Sequence, residues 1–484
     1  MIARCTRSST MRGFYQGNQA MNELFKLSAT ELATLISSGD VSSREVVDAH
    51  LDRIEQVNGH VNAITVVLSD SARQAADAAD AMPRDQRVGP FHGVPFTIKE
   101  NIDCVGSATT QGIPLMAEAM PTRDAPVVAR MKAAGAIALG RTNMPEMGLR
   151  LSTDNPLRGR TLNPWNAELT AGGSSGGDGV ALATGMTPLG LGNDIGGSLR
   201  NPAYCNGITS LKPTRGRIPH ASCLEPEDAG MAAQAMLVEG PMARSVTDLR
   251  QALSVLAGRD IRDPLSVDAP LAGQAPTRQR AALVTEIDGL TLPAATIREI
   301  ERAGRVLAAA GWEVETASPP ELRQVTETWG NVLTIDFSVM VPLLKPLITG
   351  PLYHQLMEVC RRFDCGNIPN SAVHAERARL GRLWSAFFAD YPVVIGPTWT
   401  CLPWPADADL DPETGAALLE RTVPFITPGN VLGLPSVALP TGVSEGLPTG
   451  IQIYADLWRE DLCLDAAEII EAGVERPTPI DPVV

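Results

Sequence analysis

The sequence predicts an α/β layered fold in one large domain, and three observations point there. Stretches with helical apolar spacing alternate with short apolar strand-like runs along the chain, the pattern of helices covering a sheet. No composition break or low-complexity linker interrupts residues 25–475, and no repeat of solenoid length recurs. The 484 residues are 44% hydrophobic and 20% charged, which is ordinary globular usage and enough for a sizeable core. Only 4% are aromatic, so that core must come mainly from Leu, Val, Ile and Ala.

Taken in order, the elements follow from local chemistry. Ser28-x-x-Glu31 and Ser42-x-x-Glu45 are capping boxes that open two helices over 28–58, and Val46, Val47, Leu51, Ile54 and Val57 give the second an apolar face. VNAITVVL at 61–68 predicts a strand, and the Ala-rich 69–81 a helix. PFHGV is a turn that delivers PFTIK at 95–99, a short apolar run ending in a lysine. Asp124 is expected to cap a helix closed at Gly135, followed by a strand at 136–139. MTPLGLG at 186–192 reads as a strand, Ser245-x-x-Asp248 as a helix start, 278–285 and 312–317 as strands, and 297–310 as a helix between them. Residues 320–390 are expected to be largely helical, forming a cap within the domain. After them come a strand at 392–395, two more at SVALPTG and GIQIYA, and a final helix from about Glu460.

The composition excludes several classes. A formal net charge of −15 argues against nucleic acid, whose phosphates need Lys and Arg for neutralisation, and against docking on anionic lipid. Cysteines are scattered at 5, 104, 205, 223, 360, 365, 401 and 463, without a C-x-x-C pair or a nearby pair of histidines. Neither a zinc site nor a disulfide framework is expected, and the thiols fit a reducing compartment. No run approaches 18 consecutive apolar residues, so no spanning helix is expected. The opening MIARCTRSSTMRGFYQGNQA has arginines but no apolar centre of a signal peptide. Residues 1–20 are therefore expected as a loose extension, 21–484 as the folded unit, and the cytoplasm as the setting.

The chain is organised around residues 171–207, where 11 of the 43 glycines fall within 37 residues. Glycine at this density marks main chain that approaches a ligand or itself closely. Ser174, in GGSSGG, and Ser198, in DIGGS, each stand beside a glycine pair. A P-loop is excluded because no glycine precedes Lys-Ser or Lys-Thr in the required frame. A dinucleotide loop is excluded because Gly190-Leu-Gly192-Asn-Asp-Ile-Gly196 has the wrong spacing. Gly172-Gly-Ser174-Ser-Gly176 does match the nucleophile elbow G-x-S-x-G, which requires a downstream acid and then a histidine. Yet His220, His354 and His374 do not end strands in the expected manner, so a histidine-dependent esterase is the weaker reading. A lysine can serve as base instead if burial lowers its pKa from about 10.4 towards about 7 or 8. Lys99, at the end of an apolar strand, fits this, and Lys212 in LKPTRG is a rival that sequence physics leaves open.

Long segments then resemble the amidase signature family of Ser–cisSer–Lys hydrolases: GVPFTIKENID at 93–103, GRTNMPEMG at 140–148, NPWNAELTAGGSSGGDG at 163–179 and PLGLGNDIGGSLRNPAYCNGITSLKPTRGR at 188–217. LGLPSVALPTG and GLPTGIQI continue the likeness towards the C-terminus, and 140–217 is also similar to fatty acid amide hydrolases. The resemblance implies a mixed, mostly parallel twisted sheet covered by helices on both faces. It implies Lys99 as base, Ser174 as bridging residue after a cis peptide at Gly173–Ser174, and Ser198 as nucleophile. The backbone amides of Ile195, Gly196, Gly197 and Ser198 would form the oxyanion hole, and Met147, Gly148 and Leu149 would line an acyl pocket. Asp194 and Arg200 would brace the loop.

The implied activity is hydrolysis of a small-molecule amide through a serine acyl-enzyme. The substrate would be an apolar or aryl amide, with esters or carbamates within reach of the same site. No cofactor, metal, nucleic acid or membrane is implied, and a homodimer is left open. The alternatives are the glutaminase subunit of a tRNA-dependent amidotransferase and a non-catalytic scaffold that keeps the fold. Asp178 replaces a Ser common in the family and Asn193 a Thr or Ser. Neither change removes a proton-carrying group, and their bearing on substrate preference stays open.

Overall fold

A computed structural model of the chain describes residues 23–87, 89–225, 227–363 and 368–483. The expected extension over 1–20, with Cys5, and also Cys365 lie outside the described residues. The strands are β1 Ile64–Val67, β2 Pro95–Lys99, β3 Ile137–Thr142, β4 Leu189–Asp194, β5 Thr209–Lys212, β6 Val238–Ala243, β7 Arg280–Leu283, β8 Glu313–Thr316, β9 Val393–Pro397, β10 Ser436–Ser444 and β11 Leu447–Tyr454. They form one sheet in the order β1-β3-β2-β4-β6-β5-β10-β11-β9-β7-β8.

The sheet is mixed, with parallel pairing confined to two flanks, β3-β2-β4 and β9-β7-β8. The other neighbours, from β4 across the centre to β9 and at β1, are antiparallel. The helix–strand alternation that predicts parallel units holds on the flanks. The centre is closed by the β10–β11 hairpin, turning at Glu445-Gly446, and by β6, which runs antiparallel to β4 and β5.

Alternation along the strands sends side chains to two helical layers. Phe96 and Ile98, Leu189 and Leu191, and Ile451 and Ile453 enter one core with the helices Ala29–Ser38, Val246–Leu256, Ala294–Ala309 and Glu460–Ala472. On the other face, Ile137 and Leu139 meet the helices Ser43–Val61 and Gly176–Ala183. Further along that face, Val394 and Tyr454 meet Leu322–Leu344 and Asn370–Asp390. Thr97 and Lys99 necessarily point opposite to Phe96 and Ile98, onto that second face, and the site is built there.

Both capping boxes form as expected. Asp124 does not cap its helix, Pro126–Ala133, whose N-cap is Ala125 without a side-chain bond. Its carboxylate instead accepts the Val105 amide and the Lys132 ammonium. Two central strands, β5 and β6, carry no clear strand signal. β6 is VEGPMA, and Gly-Pro reads as a turn.

Candidate active site

The Gly-rich stretch folds into a loop, the helix Gly176–Ala183, strand β4, a tight turn over 195–199 and the helix Arg200–Asn206. The Gly173–Ser174 peptide is cis. At the turn, Gly197 has φ +99°, and a Cβ there would lie 2.4 Å from Asn201 Oδ1, so only glycine fits. Asn201 ties the two serine-bearing loops together: its Nδ2 donates to Gly173 O and Gly196 O, both at 3.2 Å, and its Oδ1 accepts from Trp399 Nε1 at 2.7 Å. Asn206 Nδ2 adds a bond to Ala171 O at 2.7 Å.

The two lysines are distinguished by contact. Lys99 Nζ and Ser174 Oγ share a hydrogen bond of 2.7 Å, and Lys99 Nζ donates to Asn193 Oδ1 at 2.7 Å. Lys212 Nζ instead donates to the carbonyl of its neighbour, Pro213, at 2.7 Å. Lys99 is fully buried. Burial lowers its pKa from the ordinary 10.5 to about 8, with partial opposition from the carboxylates of Asp178, Glu239 and Asp194. Asn193 Oδ1 can only accept from the amine here, so it directs one Lys99 N–H towards itself.

Ser198 is buried from bulk solvent but lines an apolar cavity with Ile195 and Gly196. Its carbonyl accepts the Ser175 amide at 3.2 Å, which holds the two serine loops side by side. Asp194 Oδ1 accepts the Gly197 amide at 2.7 Å, and its Oδ2 accepts the Leu199 amide at 3.2 Å. The expected set of oxyanion donors therefore changes. Gly197 N–H is committed to Asp194, whereas the amides of Ile195, Gly196 and Ser198 lie outside that carboxylate's bonds. Asp194 also forms a fully buried pair with Arg200, at 3.0 and 3.1 Å. Arg200 in turn donates to Ile426 O, Gln452 Oε1, Tyr454 OH and Asn430 Oδ1. The pair braces the turn, as expected.

Gly148 and Leu149 line the cavity; Met147 does not. Its side chain packs with Leu149 against Val341, Leu344 and their neighbours, and its amide donates to Gln111 O at 2.7 Å. Gly148 borders the relay, since a Cβ there would lie 3.3 Å from Ser174 Oγ. The remaining wall is mainly apolar and comes largely from the expected helical region: Trp329, Leu333, Phe337, Leu356 and Phe363. Trp329 Nε1 donates to Ile195 O at 3.1 Å, tying that wall to the turn. Sequence reasoning missed Trp329 and Asn201. Asn201 carried a faint signal, an amide side chain within the Gly-rich motif next to Gly197–Ser198; Trp329 carried none.

Asp178 and Asn193 do not line the cavity. Asn193 contacts Lys99 directly, and Asp178 is buried on the hydroxyls of Thr97 and Thr142. The histidine alternative finds no support, because neither Ser174 nor Ser175 bonds to a histidine, and His220 Nδ1 pairs with Glu239 Oε1 at 2.7 Å.

The fold thus sets a buried lysine on one serine behind an apolar cavity that a second serine lines, beside a Gly-rich turn. The Amidase family model matches residues 45–464, and the chain belongs to this family of C–N hydrolases. An indoleacetamide hydrolase of Bradyrhizobium diazoefficiens is 41% identical over 93% of this chain and 87% of its own length. An acylamidase of Rhodococcus erythropolis is 33% identical over 92% of this chain and 95% of its own. The solved structure of 6-aminohexanoate cyclic dimer hydrolase complexed with substrate superposes with a TM-score of 0.79 at 27% identity, covering 95% of this chain and 99% of that one. No helix among the described residues is long and apolar enough to cross a membrane.

Proposed function

We propose that this amidase hydrolyses the primary amide of an arylacetic acid, releasing the acid and ammonia. The observation that carries the mechanism is the 2.7 Å contact between buried Lys99 and Ser174 behind the cavity that Ser198 lines. Neutral Lys99 takes the Ser174 proton as Ser174 takes that of Ser198, and Ser198 Oγ bonds to the amide carbon. Charge developing on the carbonyl oxygen falls to the amides of Ile195, Gly196 and Ser198, with Gly197 shaping the turn. The proton returns through Ser174 to the leaving nitrogen as the C–N bond breaks. Water then repeats the cycle on the ester.

The acyl group is assigned from the wall. Trp329, Phe337 and Phe363 offer aromatic surface, and the helices Leu322–Leu344 and Gly350–Arg362 act as a cap over it. The indoleacetamide hydrolase relative favours an aryl-acetyl substrate. A glutaminase would need a cation for the α-carboxylate. Both arginines at the cavity are already paired, Arg150 with Asp407 and Asp409 and Arg362 with Glu358 and Glu420. Cys104, Cys205, Cys223, Cys401 and Cys463 carry free thiols, which fits a cytoplasmic setting.

The test measures ammonia release from indole-3-acetamide and from glutamine, with a fluorophosphonate probe for the nucleophile. Turnover of the aryl amide, lost more than about 10³-fold along with probe labelling in Ser198→Ala, is expected. Hydrolysis of glutamine in preference to the aryl amide would overturn the substrate assignment. Labelling retained in Ser198→Ala would overturn the assignment of the nucleophile.

A further inference from the structure

Behind the base lies a carboxylate that the proposed mechanism leaves unused. Asp178, in the first turn of Gly176–Ala183, is fully buried. Its Oδ1 accepts the Thr97 hydroxyl at 3.0 Å and its Oδ2 the Thr142 hydroxyl at 2.7 Å. Both threonines are fixed relative to Lys99. Thr97 precedes it by two on the same face of β2, and Thr142 is its register partner on β3. The room is made by Gly190 on β4, opposite Thr97, where a Cβ would lie 2.8 Å from Asp178 Oδ1. Three strands and a helix therefore hold this oxygen pair in place.

The chemistry explains why a charge is needed there. When Lys99 takes a proton it becomes an ammonium inside the fold, and its direct partners, Ser174 and Asn193, are neutral. An unpaired buried ammonium costs several kcal/mol, roughly, after relaxation. We propose that Asp178 is a positioning residue for the base: its carboxylate, held by Thr97 and Thr142, is the counter-charge that lets Lys99 accept the serine proton.

The surroundings are consistent with this role. Lys99 is faced by Asp178 from the helix, by Glu239 from β6 and by Asp194 from the end of β4. Asp194 is neutralised by Arg200, and Glu239 is hydrogen-bonded to His220. Asp178 has no ion pair among the described residues, and the cations that act on it are Lys99 and Arg141. Burial pushes its own carboxyl up to about 7 against the hydroxyls of Thr142 and Thr97 and those two cations. Asp178 and Lys99 thus each change charge near neutral pH. Among the three carboxylates, Asp178 opposes the burial effect on Lys99 most strongly. The inference rests on the assignment of Lys99, Ser174 and Ser198, but not on the choice of substrate.

The experiment measures the rate of Ser198 labelling by a fluorophosphonate from pH 5 to 10 in the wild type, Asp178→Asn and Asp178→Ser. Asparagine keeps the shape without the charge. Serine removes the charge through a smaller side chain and guards against a misfolded asparagine variant. Removing the negative charge lowers the proton affinity of Lys99, so the acid limb moves to lower pH by about one unit, a tenfold change. The plateau rate falls because a weaker base drives the transfer less. The probe's saturation constant stays the same, since Asp178 does not line the cavity. Profiles superimposable on the wild type in both variants, or a changed saturation constant with an unmoved limb, would overturn the proposal. Absence of labelling in the wild type would overturn the assignment of Ser198 itself, and this inference with it.

Discussion

Replacing Asp194 by asparagine should cost both stability and turnover, and the structure gives the size of each. The carboxylate receives five donors: the amides of Gly197 and Leu199, Arg200 Nε and Nη2, and Asn430 Nδ2. An asparagine offers one acceptor oxygen and turns its NH2 towards the rest. Arg200 is fully buried and would lose its counter-charge. Breaking such a pair from one side costs about 3–5 kcal/mol, equivalent to a melting midpoint lower by about 3–5 °C in a chain of this length. The same change frees the Gly197 amide and lets the oxyanion turn shift, so kcat should fall by about 10²-fold with KM little changed. A companion variant, Asp194→Asn/Arg200→Met, removes the stranded charge and should recover part of the stability but none of the kcat. Thermal unfolding and steady-state hydrolysis of indole-3-acetamide read the two effects separately. If Asp194→Asn melts within about 1 °C of the wild type and keeps kcat within about threefold, Asp194 does not brace the turn.

The base and the turn each carry a further expectation. Lys99 must be neutral to act, and burial sets its pKa at about 8, so kcat/KM should rise through an acid limb near that pH. Below the limb the rate should drop tenfold per unit, and a limb above pH 10 would show that Lys99 is not the base. Gly197→Ala places a Cβ 2.4 Å from Asn201 Oδ1 at a φ of +99°, so kcat should fall by about 10²-fold or more. Near-wild-type turnover in that variant would mean that the turn is not held in the conformation seen here.

The sequence by itself pointed to the class of chemistry and to the residues proposed to carry it. Its glycine density located the turn, its apolar run PFTIK placed Lys99 at the end of a strand, and its long motifs identified the family. Period-two alternation already implied that Thr97 and Lys99 share a face. These features are local: spacing, capping and backbone freedom are written in neighbouring residues. Even so, local signals failed at β6, where Gly-Pro sits within a central strand, and at Asp124, whose carboxylate found Val105 and Lys132 instead of a helix end.

Sequence physics left Lys99 and Lys212 open and the family resemblance favoured Lys99; the tertiary structure supplies the physical difference, because only Lys99 reaches Ser174. It also commits Gly197 N–H to Asp194, packs Met147 away from the cavity and brings in Trp329 from far along the chain. Asp178 shows the reason most plainly. In sequence it is an acidic residue beside a serine motif, with nothing to say which way it faces. Its meaning comes from Thr97, Thr142 and Gly190 on three strands, whose pairing packs a helix against the base. The electrostatics of a buried group depend on neighbours that long-range packing supplies, and no short stretch of chain encodes them.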